Sequence, residues 1–236
     1  ILIVIIWAIL KAAGEVSNLD FNDIITIIKA AFYSLLRVFA ALLIALIWTL
    51  PVGVYIGLNP RAAKILQGIV QIAASVPATA VFPVILLFLI KLGGGLDIGA
   101  IFLMLLGTQW YLLFNIIAGA SAIPKDLIEI SRAYGIRGIR KWKILILPGI
   151  FPYLVTGLIT ASGGAWNATI VSEYVSFGGE IIYTSGLGAL ISQSSASGNF
   201  GLLLFSTFFM SLIVVGINRF LWKRLFIIAK TKYIME

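Results

Sequence analysis

Side chains that commonly carry out reactions are scarce in this sequence. It contains no histidine and no cysteine, which excludes a histidine general base, a thiolate nucleophile and a zinc site built from these residues. It also lacks the Gly-x-x-x-x-Gly-Lys-Ser/Thr phosphate loop, so it cannot hydrolyse ATP by itself. We therefore expect a protein that is not an enzyme, with no catalytic residue, no metal site and no cofactor bound by this chain.

Polar side chains inside the apolar segments are the best candidates for contacting a solute. Such groups are expensive in lipid, so they either hydrogen-bond between helices or line a pathway, and both roles remain open for each of them. Acids and bases stand only at the ends of the apolar segments, so a pathway there would be polar but nearly neutral. This favours alternating access over a proton relay. The candidates are Ser75, Thr79, Gln109, Asn115, Ser162, Trp166 and Asn167.

The composition requires lipid as the solvent for much of the surface. Hydrophobic residues make up 61% of the chain and charged residues only 11%, with a mean hydropathy of +1.10. Typical soluble chains carry about 25% charged residues. The net charge of +8 belongs to loops, because no basic stretch is interleaved with base-stacking aromatics. We expect a lipid bilayer as partner and no nucleic acid.

Apolar runs long enough to cross a bilayer define the predicted architecture. A spanning helix needs about 20 mostly apolar residues. The runs predict an all-α polytopic bundle of about six spans, the first incomplete, in a single transmembrane domain over residues 1–236 whose core spans occupy 31–228. The predicted spans are Ile1–Ala13, Phe32–Leu58, Ile65–Ile90, Ile98–Gly119, Ile150–Ser172 and Phe200–Ile228.

The segment between the first two spans has a different pattern. Within Glu15–Lys29, apolar residues recur at helical spacing among polar ones. This predicts an external, interfacial amphipathic helix, so that residues 1–30 hold a partial span followed by that helix.

The distribution of basic residues predicts the orientation. Pro124–Lys143 carries six basic residues against two acids, and five more follow from Arg219 to Lys232, whereas Glu173–Asn199 carries none. Lysine and arginine accumulate in cytoplasmic loops. The C-terminus and the loop over 124–148 are therefore expected to be cytoplasmic, and Glu173–Asn199 external.

The loop over 124–148 contains a short amphipathic helix. Pro124 suits the first helical position, where a missing N–H costs nothing, and Gly135 suits the left-handed conformation that ends a helix. Leu127, Ile130 or Ser131, and Tyr134 would share one face. That face is too short to bury itself. It could rest on lipid, pack beneath its own bundle or dock on a soluble partner.

The spacing within this loop resembles the EAA loop of binding-protein-dependent ABC transporter permeases. That pattern is Glu-Ala-Ala, three residues, Gly, nine residues, then a hydrophobic residue, one more, and Leu-Pro. Glu129, Gly135, Leu147 and Pro148 fall at the matching positions. Shorter segments from about Ala31 to Phe220 are similar to the nitrate/sulfonate/taurine branch. They are Ser34–Val38, Ser75–Pro77, Gly157-Leu158, Gly164–Trp166, Glu173 and Gly186–Gly188.

The resemblance implies the fold and role of a type I importer permease in the prokaryotic cytoplasmic (inner) membrane. Such a subunit forms half of the pathway for a small solute, which we expect to be anionic. It would pair with a second permease copy or a homologous half, with a cytoplasmic ABC ATPase dimer that binds ATP and Mg, and with an extracytoplasmic substrate-binding protein or domain. The implied ATPase-coupling residues are Pro124, Leu127, Glu129, Ser131, Tyr134, Gly135, Arg137 and Pro148.

Three further questions stay open on the sequence alone. Glu173 and Ser185–Gly201, on the external side, are candidates for contacting the binding protein, for a re-entrant segment or for a plain loop. The opening at Ile1, inside a span and without methionine, fits the C-terminal half of a longer fused permease. The alternative functions are a gradient-driven secondary transporter or channel, and a membrane-embedded enzyme or scaffold. No residue selects a particular solute.

Overall fold

The computed structural model describes residues 11, 14–17, 19–177 and 179–232, most of which are helical. Eight helices and one two-stranded hairpin occur among the residues from 21 to 232 that it describes. They are α1 (Phe21–Leu58), α2 (Pro60–Ser75), α3 (Ala78–Lys91), α4 (Gly95–Ser121), α5 (Lys125–Ala133), α6 (Gly138–Ser172), β1 (Tyr174–Phe177), β2 (Glu180–Tyr183), α7 (Leu187–Ser197) and α8 (Phe200–Lys232).

The described helices confirm an all-α polytopic fold and provide four to five of the roughly six predicted spans. Four of them, α1, α4, α6 and α8, are long and apolar enough to cross a membrane, and α2 with α3 makes a fifth if the bent pair counts as one span. Apart from Lys11, the predicted first span Ile1–Ala13 lies outside the described residues. Only 11% of the most apolar window of α8 is buried, so its surface requires lipid or another chain around it.

The predicted span Ile65–Ile90 is two helices rather than one. They meet at 80°, and the break falls at Val76 and Pro77. Val76 has an extended backbone, with φ −73° and ψ 121°. Proline disfavours helical geometry in the residue before it, which explains why the first helix stops there. The first of the two also begins earlier than predicted, at Pro60, where the Asn59 side chain accepts hydrogen bonds from two N–H groups of the first turn.

The predicted interfacial helix is not a separate element. From Phe21 onward it is continuous with the following span in α1, which has 38 residues and is therefore about 57 Å long. Neither glycine nor proline occurs between Phe21 and Pro51, so nothing in the sequence ends the helix at Lys29. A helix of this length exceeds the roughly 30 Å of a hydrocarbon core, and part of it must extend beyond the core.

Helix α6 contains a π-helical segment, Trp142–Ile146, directly before Leu147 and Pro148. The N–H of Leu147 bonds to the carbonyl of Trp142, five residues earlier. Proline inside an α-helix clashes with the carbonyl four residues before it and offers no donor. The wider π turn explains how the helix continues into the span despite Pro148.

The chain divides into two compact units, each built from three separate stretches of sequence. Unit 1 comprises Ile1–Ala41, Val81–Met104 and Ala165–Gly216, and its core includes fully buried Ile27, Leu86 and Leu187. It also contains the hairpin, in which Tyr174 pairs with Tyr183 and the chain turns at Gly179 with φ +86°.

Unit 2 comprises Leu42–Ala80, Leu105–Gly164 and Ile217–Glu236. Its core contains a cluster of Ile56, Leu113 and Ile117, against which Trp48 and Trp110 pack edge to face with ring centroids 6.4 Å apart. The same unit contains α2 and α5. The prediction of one domain over 1–236 concerns the whole chain and stays a prediction.

Candidate functional site

Helix α5 ends at Gly135 as the sequence predicted. Gly135 has φ +65°, and its N–H donates to the carbonyl of Arg132 at 3.0 Å. The N–H of Ile136 donates to the carbonyl of Ser131 at 2.8 Å. These two bonds and the left-handed glycine form a Schellman motif, which satisfies carbonyls that a helix end would otherwise leave unpaired.

The start of α5 differs by one residue from the prediction. Pro124 precedes the helix as its N-cap, with φ −56° and ψ 134°, and Lys125 is the first helical residue. The fixed φ of Pro124 is compatible with the N-cap and with the first helical position. Its ψ is extended, however, as in a residue that flanks a helix.

One exposed face of α5 is apolar and aromatic. Leu127, Ile130 and Tyr134 are 37%, 51% and 80% exposed. Ser131, predicted to share this face, is instead buried, and its hydroxyl donates to the carbonyl of Ile128 at 2.8 Å. Helix α5 contacts the π-helical segment of α6, and the small side chain of Ser131 is suited to that close packing. Of the two alternatives left open, Ile130 is therefore the one that belongs to the exposed face.

The remaining predicted coupling residues, Glu129, Arg137 and Pro148, lie within or after α5 in the sequence. Glu129 is exposed. Arg137 is also exposed and has the extended backbone of the N-cap of α6, followed by Gly138 with φ +55°. Pro148 is half-buried beyond the π-helical segment. Two left-handed glycines thus bracket the short connection between α5 and α6.

The predicted pathway residues fall into two groups. Ser75 and Thr79, on either side of the α2–α3 break, are exposed, and so is Asn167. Gln109, Ser162 and Trp166 are buried, and Asn115 donates to the carbonyl of Tyr111 at 2.7 Å. The Nε1 of Trp166 has no hydrogen-bond partner among the described residues. We find no hydrogen-bonded network that joins these residues within the described ranges, so their role as a pathway stays a prediction.

A polar cluster around a buried arginine, which the sequence did not predict, lies in unit 1. We call Ser34, Arg37, Asp97, Glu173 and Thr184 the Arg37 cluster. The guanidinium of Arg37 donates to Glu173 Oε1 at 3.0 Å, to Asp97 Oδ1 at 2.5 Å and to Thr184 Oγ1 at 2.9 Å. It also donates to a backbone carbonyl, that of Ser185, at 2.8 Å. One side chain of α1 therefore holds α4, the end of α6 and the segment after β2.

Within the Arg37 cluster, Glu173 accepts hydrogen bonds from three residues, one of which is Arg37. Its carboxylate accepts from the Ser34 hydroxyl at 2.7 Å and from the N–H of Gly188 at 2.9 Å. The N–H of Leu187 donates to Ser34 Oγ at 2.8 Å. The first N–H groups of α7 thus end on the cluster, which meets the usual need of a helix N-terminus for acceptors and negative charge.

Glu173, one of the candidates for contacting a binding protein, is not accessible for such a contact in this structure. Its side chain is fully buried, because Ser34, Arg37 and Gly188 surround the carboxylate. Burial raises the pKa of the Glu173 carboxyl above its ordinary value, since the charged form loses water. The hydrogen bonds from Ser34 and Gly188 and the charge of Arg37 act in the opposite direction.

Two glycines allow this close packing. A Cβ at Gly186 would lie 2.2 Å from a carboxylate oxygen of Glu173, and one at Gly188 would lie 2.2 Å from the carbonyl of Thr169. The segment Ser185–Gly201, for which a plain loop was one interpretation, contains the helix α7 with buried Leu187 and Ile191.

Comparison with known proteins supports the resemblance of the 124–148 loop to the EAA loop of ABC transporter permeases. Residues 49–222 match the family model described as binding-protein-dependent transport system inner membrane component. A permease of Escherichia coli named for aliphatic sulfonate transport is 34% identical over 121 residues, which cover 51% of this chain and 44% of that protein. The nitrate import permease protein of Leptolyngbya laminosa is 27% identical over 187 residues, covering 78% and 63%. The chain spans about half the length of the curated relatives it matches.

A solved structure supports the fold independently. A chain of the MetNI methionine ABC transporter, in an inward-facing conformation, superposes with a TM-score of 0.72 at 21% identity, over 89% of this chain and 99% of that chain. The type I importer fold expected from the motif is therefore confirmed. Because the family model covers most of the chain and the relatives are of the nitrate/sulfonate/taurine branch, this protein belongs to the inner membrane components of binding-protein-dependent transport systems, the permeases of ABC importers.

Proposed function

We propose that this chain forms half of the translocation pathway of an ATP-driven importer for a small anionic solute, and that α5 couples it to a separate ATPase. The observation that carries the proposal is the geometry of α5. It is a short helix with a fixed end at Gly135, it packs on the following helix, and it presents Leu127, Ile130 and Tyr134 outward. Binding of a partner that covers an exposed apolar face of this kind is energetically favourable, because it removes apolar surface from water.

The coupling step requires a rigid connection between the docked helix and a span. Helix α5 contacts the π-helical segment of α6, and α6 continues from there to Ser172. Movement of an ATPase pair that holds α5 would therefore be passed to α6, which is how a docked element biases two states of a bundle. ATP and Mg belong to that partner, because this sequence has no phosphate loop.

The proposal also includes the orientation of the chain in the membrane and two further partners, a binding protein and a second permease half. The basic residues of the 124–148 loop and of the C-terminus favour a cytoplasmic position for both, because lysine and arginine resist translocation. The opposite side would receive an extracytoplasmic binding protein or domain. A second permease copy, or a homologous half, would complete the pathway.

The solute class rests on charge and on the relatives. Those quoted above are named for aliphatic sulfonate and for nitrate, both small anions. The polar residues predicted to line the pathway include no acid that would repel an anion.

The test is co-purification from native membranes. The tagged, full-length protein should bring with it a subunit that has a phosphate loop and hydrolyses ATP. Tyr134→Asp should reduce the amount of that subunit at least several-fold, because it buries a charge in the docking face. Tyr183→Asp, at another exposed tyrosine outside α5, is the matched control. Absence of an ATPase from the wild-type preparation, or equal recovery with Tyr134→Asp, would contradict the proposal.

A further inference from the structure

Helix α2 has an unusual surface for a helix of a membrane protein. None of its residues is buried among the described residues of the chain. Gln67, Gln71 and Ser75 follow one another at intervals of four, so they share one helix face. Together with α4 this face borders a groove of about 710 Å³. On the α4 side it is lined by Phe114, Ile117, Ala118 and Ser121.

The two glutamine side chains have hydrogen-bonding capacity that the described part of the chain leaves unused. Each amide has two donors and an acceptor, and no side-chain hydrogen bond found among the described residues involves the amide of Gln67 or Gln71. By contrast, Ser75 donates to the carbonyl of Ile72 at 2.7 Å and Ser121 to that of Gly57 at 3.2 Å. Amides without partners are costly against lipid, so this face is suited to water, a solute or another polar surface.

The charges along the groove favour an anion. No aspartate or glutamate is among its lining residues, so no carboxylate there repels an anion. Lys64 precedes Gln67 by one turn on the same face of α2, close to the first turn of the helix. An amide N–H is a good donor to the oxygen of a nitrate or sulfonate group, and because it is neutral it holds such a group only weakly. Weak binding is what a site on a transport route needs, since the solute must also leave.

We propose that Gln67 and Gln71 form a subsite for a small oxyanion on the transport route, and that Lys64 draws the anion towards it. This rests on the proposed function above. The groove volume lies in the range of small-molecule sites, which leaves room for the anion with part of its water shell. In the sequence, only their i, i+4 spacing marks the two glutamines, because they lie within the apolar run Ile65–Ile90 that predicts a span.

The experiment measures uptake by the complete transporter, reconstituted in liposomes with its co-purified partners. Nitrate and an aliphatic sulfonate are the probes, with ATP hydrolysis recorded in parallel. Gln71→Glu keeps the shape of the side chain but adds a negative charge, and Gln67→Met and Gln71→Met remove the donors. We expect each to lower uptake of the transported anion roughly tenfold to a hundredfold, the effect of losing a hydrogen bond to a charged group. The loss should appear as a higher half-saturating concentration.

The control is Asn22→Asp, which makes the same change from amide to carboxylate in the exposed first turn of α1. An acid is tolerated there because it lies at a helix N-terminus. Uptake by this variant should equal that of the wild type.

The outcomes separate this inference from the proposed function. A wild-type preparation that neither hydrolyses ATP nor takes up an anion contradicts the proposed function. Wild-type transport with unchanged uptake by all three glutamine variants contradicts the subsite and leaves the function intact. If the variants lose the second permease subunit on native mass spectrometry, the groove is a subunit interface, and the subsite is again contradicted.

Discussion

The guanidinium of Arg37 lies 3.0 Å from the carboxylate of Glu173, although 136 positions separate the two residues in sequence. Both side chains are buried, at 8% and 0% exposure. Removal of one member of a buried ion pair leaves an uncompensated charge, which is more costly than the pair is favourable. The pair therefore holds α1 to the end of α6 in a way that single substitutions should reveal.

Arg37→Met is expected to destabilise the protein by about 3–5 kcal/mol, the usual cost of breaking a buried pair. The measurement is thermal denaturation of the purified protein in detergent. Glu173→Gln should be milder, because Arg37 keeps its ion pair with Asp97 and the new amide oxygen can still accept a hydrogen bond from Ser34. If the two substitutions together cost as much as the sum of the single ones, the residues do not interact as described.

Gly186→Ala should destabilise unit 1 by about 1–3 kcal/mol, since the added methyl group would overlap the Glu173 carboxylate. The same substitution at Gly216, in α8, meets nothing within 4 Å and serves as the control. Alanine there should be neutral or slightly stabilising, because it favours helix. The comparison of the two melting temperatures tests the packing directly, and equal values would show that the segment after β2 does not press on Glu173.

Gly57→Ala should loosen the crossing of α1 and α4 in unit 2. A Cβ at Gly57 would lie 2.6 Å from the Cβ of Ala120 and from the carbonyl of Ile117. Small residues allow membrane helices to approach closely, and a methyl group at the contact separates them. Hydrogen exchange of the α4 amides, followed by mass spectrometry, should become faster. Gly107→Ala, which has open space around it, should leave the exchange unchanged.

Gly135→Ala should reduce the solute carried per ATP hydrolysed, because alanine at φ +65° is strained by about 1–2 kcal/mol and disturbs the end of α5. Gly135→Asn is the informative partner variant. Asparagine adopts the left-handed conformation more readily than alanine, so it should retain more coupling. An asparagine variant that is worse than the alanine variant would mean that side-chain size, and not backbone conformation, governs this position.

The sequence predicted the local features of this protein better than the distant ones. The end of α5 was predictable because a single glycine determines it, and the spans because apolar runs of about 20 residues have few other uses. The Arg37 cluster was missed because its partners are far apart in the chain: the side chains bonded to Arg37 come 60, 136 and 147 positions later. Neither spacing nor hydropathy reports such contacts.

Two errors have separate causes. The start of α1 was separated from its span because its amphipathic pattern changes at about Lys29, but a change of pattern does not end a helix without a breaker. Glu173 was considered as a contact for a binding protein because it begins the stretch Glu173–Asn199, which carries no basic residue. Its burial depends on Ser34 and Arg37, which lie on a different helix.

The π-helical segment of α6 introduces a phase shift into that helix. The wide turn holds one more residue than an α turn, which rotates everything after Leu147 by about 100° relative to a regular helix counted from Gly138. A single helical wheel drawn through α6 would therefore assign the wrong faces to its membrane portion. Three residues of α6 lie on the side that faces α4, where a Cβ added to a glycine of either helix would meet the other helix: Tyr153, Gly157 and Gly164. They share one side of α6 with one another, but not with Ile139 and Trp142. The number of residues between α5 and the span thus sets the rotation of the span as well as its distance from α5.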